Sequence, residues 1–131
     1  MYPLTHAYFM TYFAVLQRAE RAVRALLPRR DSAASRALAI LAASYAVAYA
    51  ETFFMATDGL ARYFWYRDRA RMLGWGSLGY AAYFVAGLPM VRRVDGGGRR
   101  WTLGRTVREA AATCMAIQVL LEVWAKLAGP L

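Results

Sequence analysis

Charged and apolar positions fall in blocks along the chain. Residues 1–17 carry no Asp, Glu, Lys or Arg. Residues 37–57 form a 21-residue run broken only by Glu51, and residues 72–91 form a 20-residue run with no charge. Residues 110–125 hold one charge, Glu122. A helix needs about 20 apolar residues to cross the hydrocarbon core of a bilayer. The second and third runs meet that length, and polar helical ends extend the first and fourth. The pattern predicts an all-α polytopic membrane protein, one domain of about four transmembrane helices in a bundle. The helices fall at about 3–22, 35–57, 71–91 and 106–127. A soluble four-helix bundle would need a polar face at 3.6-residue spacing on every helix. Residues 72–91 offer no charged face.

The connections agree with this partition. Pro28 and "RRDSAAS" separate helices one and two, with Ser32 or Ser35 as candidate N-caps. "DGGGRR" (95–100) reads as a hinge, Thr102 or Thr106 as the next cap, and "GP" at 129–130 as the end of the last helix. Trp65, Tyr66 and Trp101 sit where an apolar run meets a loop, as in an interfacial aromatic belt.

Composition sharpens the picture. The 131 residues are 60% hydrophobic, with a formal net charge of +9, and 16 of the 17 basic residues are Arg. The arginines sit between the apolar runs, which favours anionic membrane lipid over nucleic acid as their partner. The stretches 18–36 and 92–108 hold six Arg each and 58–71 holds four. The positive-inside rule puts the first and third connections in the cytoplasm, with both termini and the middle connection outside. No basic segment precedes an apolar core at the amino end, so no signal peptide is evident. The single Cys114 excludes an internal disulfide, and a lone His6 makes a His-based metal site implausible.

"GWGSLG" (74–79) matches G-x-G-x-x-G letter for letter. It lacks the preceding strand that dinucleotide binding requires. The better reading is a small-residue face, with Gly76, Tyr80, Tyr83 and Gly87 in line for a close helix or flat ligand.

Acids inside apolar runs are functional candidates by default, because an unpaired charge in a membrane costs several kcal/mol. Glu122 has Lys126 at i+4 and Gln118 at i−4, a spacing that suits an ion pair. Glu51 has no basic residue at i±3 or i±4. It must find a partner on another helix or stay neutral. Ser44, Ala48 and Met55 share its face, and Tyr45, Tyr49 and Thr52 are expected beside it. A neutral buried carboxyl beside phenols is a proton donor or a helix–helix hydrogen bond.

At these residues the chain resembles the cycloeucalenol cycloisomerases, also called cyclopropyl sterol isomerases. "SYAVAYAETFF" (44–54) is similar to S-Y-x-x-A-Y-x-E-T. The stretch 67–95 is similar to D-R-x-x-M…Y-A-x-Y-F-x-x-x-x-P-M-x-x-R-x-D, and 101–131 to W-x-L-x-R…L-[DE]-x-W…G-P. "THAYFMTYF" (5–13) is less specific. Family members are about twice as long, so the resemblance is to their C-terminal half, and a missing N-terminal half or a homo-oligomer is implied.

The resemblance implies an integral membrane isomerase that takes no cofactor and opens the 9β,19-cyclopropane ring of a 4α-methyl cyclopropylsterol to a Δ8 sterol. An acid protonates the ring carbon, a cation forms at C9, and a base removes the proton from C8. On that reading Glu51 is the acid and Glu122 the candidate base. Tyr45, Tyr49, Tyr80 and Tyr83 stabilise the cation or relay a proton, with Tyr49 and Tyr83 nearest the chemistry. Tyr45, Thr52, Tyr80, Asp68 and Arg69 bind the substrate, the Asp68–Arg69 pair serving loop structure or the sterol hydroxyl. Two rival readings are a non-catalytic sterol- or lipid-binding membrane module and a proton-coupled carrier using both glutamates. For the carrier, no inverted repeat is visible.

Overall fold

The computed structural model describes residues 2–29, 31–96 and 100–129. Of the expected hinge 95–100, residues 97–99 lie outside the described residues. Helix α1 spans Tyr2–Leu26, α2 Ala33–Met55, α3 Arg69–Arg71, α4 Ser77–Gly96 and α5 Leu103–Ala128. A 3₁₀ turn covers Asp58–Leu60, and a π-helical segment, Met72–Gly76, joins α3 to α4. No strand occurs among the described residues.

The expected caps form. Ser32 precedes α2, and its hydroxyl accepts from the Ser35 N–H at 3.0 Å. Thr102 does the same for α5, accepting from the Arg105 N–H at 3.3 Å. Gly129 ends α5 with φ 65°, a backbone conformation that favours glycine.

Two helices, α2 and α5, are long and apolar enough to cross a membrane. α1 and α4 do not reach that standard, and the reasons are local. The second half of α1 carries Arg18, Glu20, Arg21 and Arg24. The charge-free run 72–91 is helical throughout but not α-helical throughout. Its first five residues adopt the π-helical turn, and Arg92 and Arg93 follow fifteen residues after α4 begins.

Helix directions follow from the contacts between them. Tyr12 packs edge-on against Phe84 (5.7 Å), and Glu20 pairs with Arg92, eight residues further along both helices. α1 and α4 therefore run parallel. Leu16 and Leu88, both fully buried, occupy the level between. A short connection turns α2 back against α1, and α2 packs on both α1 and α4. α5 lies antiparallel on α4, because Arg93 pairs with Glu109 at 2.9 Å while the Trp124 indole donates to the Trp75 carbonyl at 2.8 Å. The arginines flanking the α1–α2 and α4–α5 connections thus gather at one end of the bundle.

The core is small and built largely from small residues. Ala39, Ala43, Ser44, Ala48 and Thr52 give α2 a narrow buried stripe, and Ala81, Ala82, Phe84 and Leu88 meet it from α4. α5 has no buried residue.

The stretch "GWGSLG" finds its explanation here. A Cβ on Gly79 would lie 2.8 Å from the Trp124 ring, and one on Gly87 would lie 2.6 Å from Phe13. These glycines let α5 and α1 approach α4. The expected face ran through Gly76 and Gly87; the seat for α5 is one step aside, at Gly79. The π-turn also exposes carbonyls. That of Gly74 accepts from the Tyr45 hydroxyl (3.3 Å), and that of Trp75 from Trp124. The local widening is therefore stitched to α2 on one side and to α5 on the other.

Candidate functional site

Glu51 projects from α2 into a cavity of about 260 Å³ whose other walls are Phe9, Tyr12, Tyr80, Tyr83 and Phe84. Three helices build it. α2 supplies the carboxyl, α1 supplies Phe9 and Tyr12, and α4 supplies two phenols one turn apart. The Tyr12, Tyr80 and Tyr83 phenols are the polar groups that share the cavity with the Glu51 carboxyl. Phe84 is held edge-on between Tyr12 and Phe13 (5.7 and 6.3 Å), which fixes the back wall. The site holds one carboxylate, three phenols and two phenyl rings, with no basic side chain among its lining residues. A proton donor surrounded by aromatic faces suits chemistry in which positive charge develops on an apolar ligand.

Tyr66, in the connection between α2 and α3, approaches the same group from outside the helices. Burial pushes its phenol above its ordinary value, and nearby Tyr80 and Glu51 add to the effect.

The expected site residues separate into two sets. The structure brings Glu51, Tyr80 and Tyr83 together. Tyr45 and Tyr49 are not beside them, which corrects the arrangement read from sequence. Residues two apart on a helix point about 200° apart, so Tyr49 faces away from Glu51. It stacks with Phe53 (6.5 Å, 16°) and touches Tyr45 (6.1 Å) in a row along the outer face of α2. Thr52 is buried, and its hydroxyl donates to the Ala48 carbonyl at 3.0 Å within its own helix. Asp68 caps α3, accepting from the Arg71 N–H at 2.9 Å. Arg69 lines a separate surface pocket with Asp58, Trp65 and Tyr66. Glu122 is exposed on α5 and lines none of the cavities that hold Glu51 or Arg69. Nor does it pair with Lys126: the ion pairs among the described residues are Arg92–Glu20 and Arg93–Glu109. The i+4 spacing permits such a pair, but two solvent-facing side chains gain little from it.

Sequence reading passed over Phe9 and Tyr12, although the aromatic spacing Tyr8, Phe9, Tyr12, Phe13 on α1 marks an aromatic face. It also passed over Glu20. That carboxyl is 0% exposed, paired with Arg92, with its other oxygen unpartnered. Its neighbours Arg18 and Arg21 disguise it as part of a charged run.

A larger groove, about 460 Å³, lies between α2, α4 and α5, lined by Tyr45, Trp75, Leu78, Trp124 and other apolar residues. It is roomier than the Glu51 cavity but contains no ionisable acid or base apart from the Tyr45 phenol. Size alone therefore does not choose the candidate site.

The fold and site define an all-helical protein, with helices suited to a membrane, that presents one carboxyl to an aromatic cavity. The particular likeness is to cycloeucalenol cycloisomerase of Arabidopsis thaliana, 33% identical over 132 aligned residues, covering 98% of this chain and 46% of that protein. The chain spans about half the length of the curated relative it matches. The resemblance read from separate motifs therefore extends over nearly the whole chain. No family model matches the chain, and no solved structure matches it.

Proposed function

We propose that the chain carries the isomerase chemistry named for its relative: opening of the cyclopropane ring of a 4α-methyl cyclopropylsterol to a Δ8 sterol, inside the membrane. The observation that carries this reading is the Glu51 carboxyl, set among Tyr12, Tyr80, Tyr83, Phe9 and Phe84. Glu51 gives its proton to the ring CH2 carbon. The bond from that carbon to C9 breaks, its electron pair forms the new C–H bond, and C9 becomes cationic. The aromatic faces stabilise that charge. Loss of the C8 proton then forms the double bond, and the product is an isomer of the substrate.

The base follows from the same geometry. Glu122 lies on another face of the bundle, so the carboxylate that Glu51 leaves behind is the anion nearest the cation. One carboxyl then donates the first proton and accepts the second. Tyr83 is placed to shield the cation or relay a proton, Tyr80 to bind the sterol body, and Asp68 and Arg69 mark the loop end of the bundle. No cofactor is required for a redox-neutral proton exchange.

Binding sites for small molecules commonly enclose about 300–1,000 Å³. The Glu51 cavity is below that range, so it holds the reacting ring while the remainder of the sterol lies along lipid or further polypeptide. Such polypeptide corresponds to the part of the relative outside the alignment, or to a second copy of this chain. In this reading all four long helices lie in the bilayer as one domain, with the arginine-rich end on the cytoplasmic face.

The test is direct. Protein purified into lipid nanodiscs is given a 4α-methyl cyclopropylsterol, and the products are separated by gas chromatography with mass detection. The Δ8 isomer is expected from the wild type and not from Glu51→Gln, with both proteins inserting equally. Equal turnover by the two proteins would overturn the role of Glu51. Binding of the sterol without turnover by the wild type would favour a sterol-binding module.

A further inference from the structure

Three phenols from other helices share the cavity with Glu51, and Tyr12 is the one supplied by α1, from the less specific stretch 5–13. The Tyr12 ring is constrained by its surroundings. It contacts Tyr8 (5.8 Å) and packs edge-on against Phe84, itself 4% exposed. α1 is in turn fixed along α4 by the Glu20–Arg92 pair two turns further on. The phenol therefore enters the Glu51 cavity from a helix whose axial position is pinned. Tyr80 and Tyr83, the other phenols of the cavity, are both more than a third exposed, so they lack this constraint.

We propose that Tyr12 is the positioning residue of the site. Its hydroxyl donates to the Glu51 carboxyl, turns the acid's O–H toward the cavity, and stays as the donor to the carboxylate once the proton has left. A hydrogen bond to a charged group contributes about 1.5–3 kcal/mol against about 1 for a neutral one. The contact therefore gains strength as the carboxyl gives up its proton. No bond other than this hydrogen bond changes at Tyr12, and its own proton stays in place throughout. The proposal rests on the proposed isomerase reading for its kinetic consequence, but not for its geometry.

Two measurements separate those parts. The first is infrared difference spectroscopy on the full chain in nanodiscs, reading the carboxyl band that Glu51→Gln removes. Tyr12→Phe keeps the ring and deletes the hydroxyl, and it is expected to move that band. An unmoved band overturns the contact whatever the protein's activity. The second is steady-state turnover of the cyclopropylsterol. Tyr12→Phe is expected to lower kcat about 10- to 100-fold, with KM changed less than about threefold. A Tyr12→Phe protein that shifts the band yet retains full kcat overturns the catalytic consequence. If the wild type has no turnover, the isomerase reading fails while the band shift still decides the contact. Tyr8→Phe, one turn away on the same helix, serves as the control, expected to change neither readout.

Discussion

Two buried or half-buried glutamates sit in neighbouring parts of this bundle, and they differ in their partners. Glu20 on α1 is fully enclosed and faces the guanidinium of Arg92. Glu51 on α2 is partly open to a cavity and faces phenols. A fully enclosed carboxylate paired with a guanidinium leaves no room beside it for a ligand. A carboxyl among phenols has neither a fixed counter-charge nor a blocked approach. Burial by itself therefore does not mark a candidate site; what faces the carboxyl does.

The comparison can be broken from either side. The largest effect is expected at Glu51. Glu51→Gln keeps the shape but removes the acid, and turnover should fall by about 10²- to 10⁴-fold, the usual contribution of a positioned acid or base. Stability should change little, because the amide matches the carboxyl in size and its oxygen can still accept a hydrogen bond; thermal unfolding in detergent checks that. The mirror experiment is Arg92→Ala. It leaves Glu20 buried without its cation and should cost about 3 kcal/mol of stability, the lower end for such a pair, since Arg92 is 32% exposed. Denaturant titration in mixed micelles measures it. A loss below about 1 kcal/mol would show that water reaches Glu20 and that the two glutamates differ less in their surroundings.

Next in size is the packing that holds the walls. Gly79→Ala places a Cβ against Trp124 and should cost about 1–3 kcal/mol. Tryptophan fluorescence should report a displaced indole, since Trp124 also gives up its bond to the Trp75 carbonyl. The smallest effect is expected at Glu122. Glu122→Gln alters an exposed position without an ion pair and should change stability by less than about 0.5 kcal/mol. Turnover should stay at the wild-type level. A large loss of activity in Glu122→Gln would restore the two-carboxylate reading and remove the single-carboxyl mechanism.

The helical class, a cap at Ser32 or Ser35, a second at Thr102 or Thr106, and the end at Gly129 were legible in the sequence, and the structure chose Ser32 and Thr102. The sequence also picked out the anomalous acid Glu51 and its likeness to a sterol isomerase. These are local properties. Capping depends on residues three apart, and an unpaired acid in an apolar run is visible in one dimension. Tertiary structure alone decided who surrounds that acid. Tyr12 is 39 positions away from Glu51 in the chain, and Glu20 is 72 away from Arg92, so no spacing rule connects either pair. It also decided that Tyr49 turns outward and that Glu122 stays on the far helix. The π-helical turn at the start of the run 72–91 belongs there too. Composition predicts one regular spanning helix, but Tyr45 and Trp124 each donate to a carbonyl of the widened turn, so two of its carbonyls find partners outside their own helix. Those donors come from two other helices, which is the physical reason the chain alone could not reveal the turn.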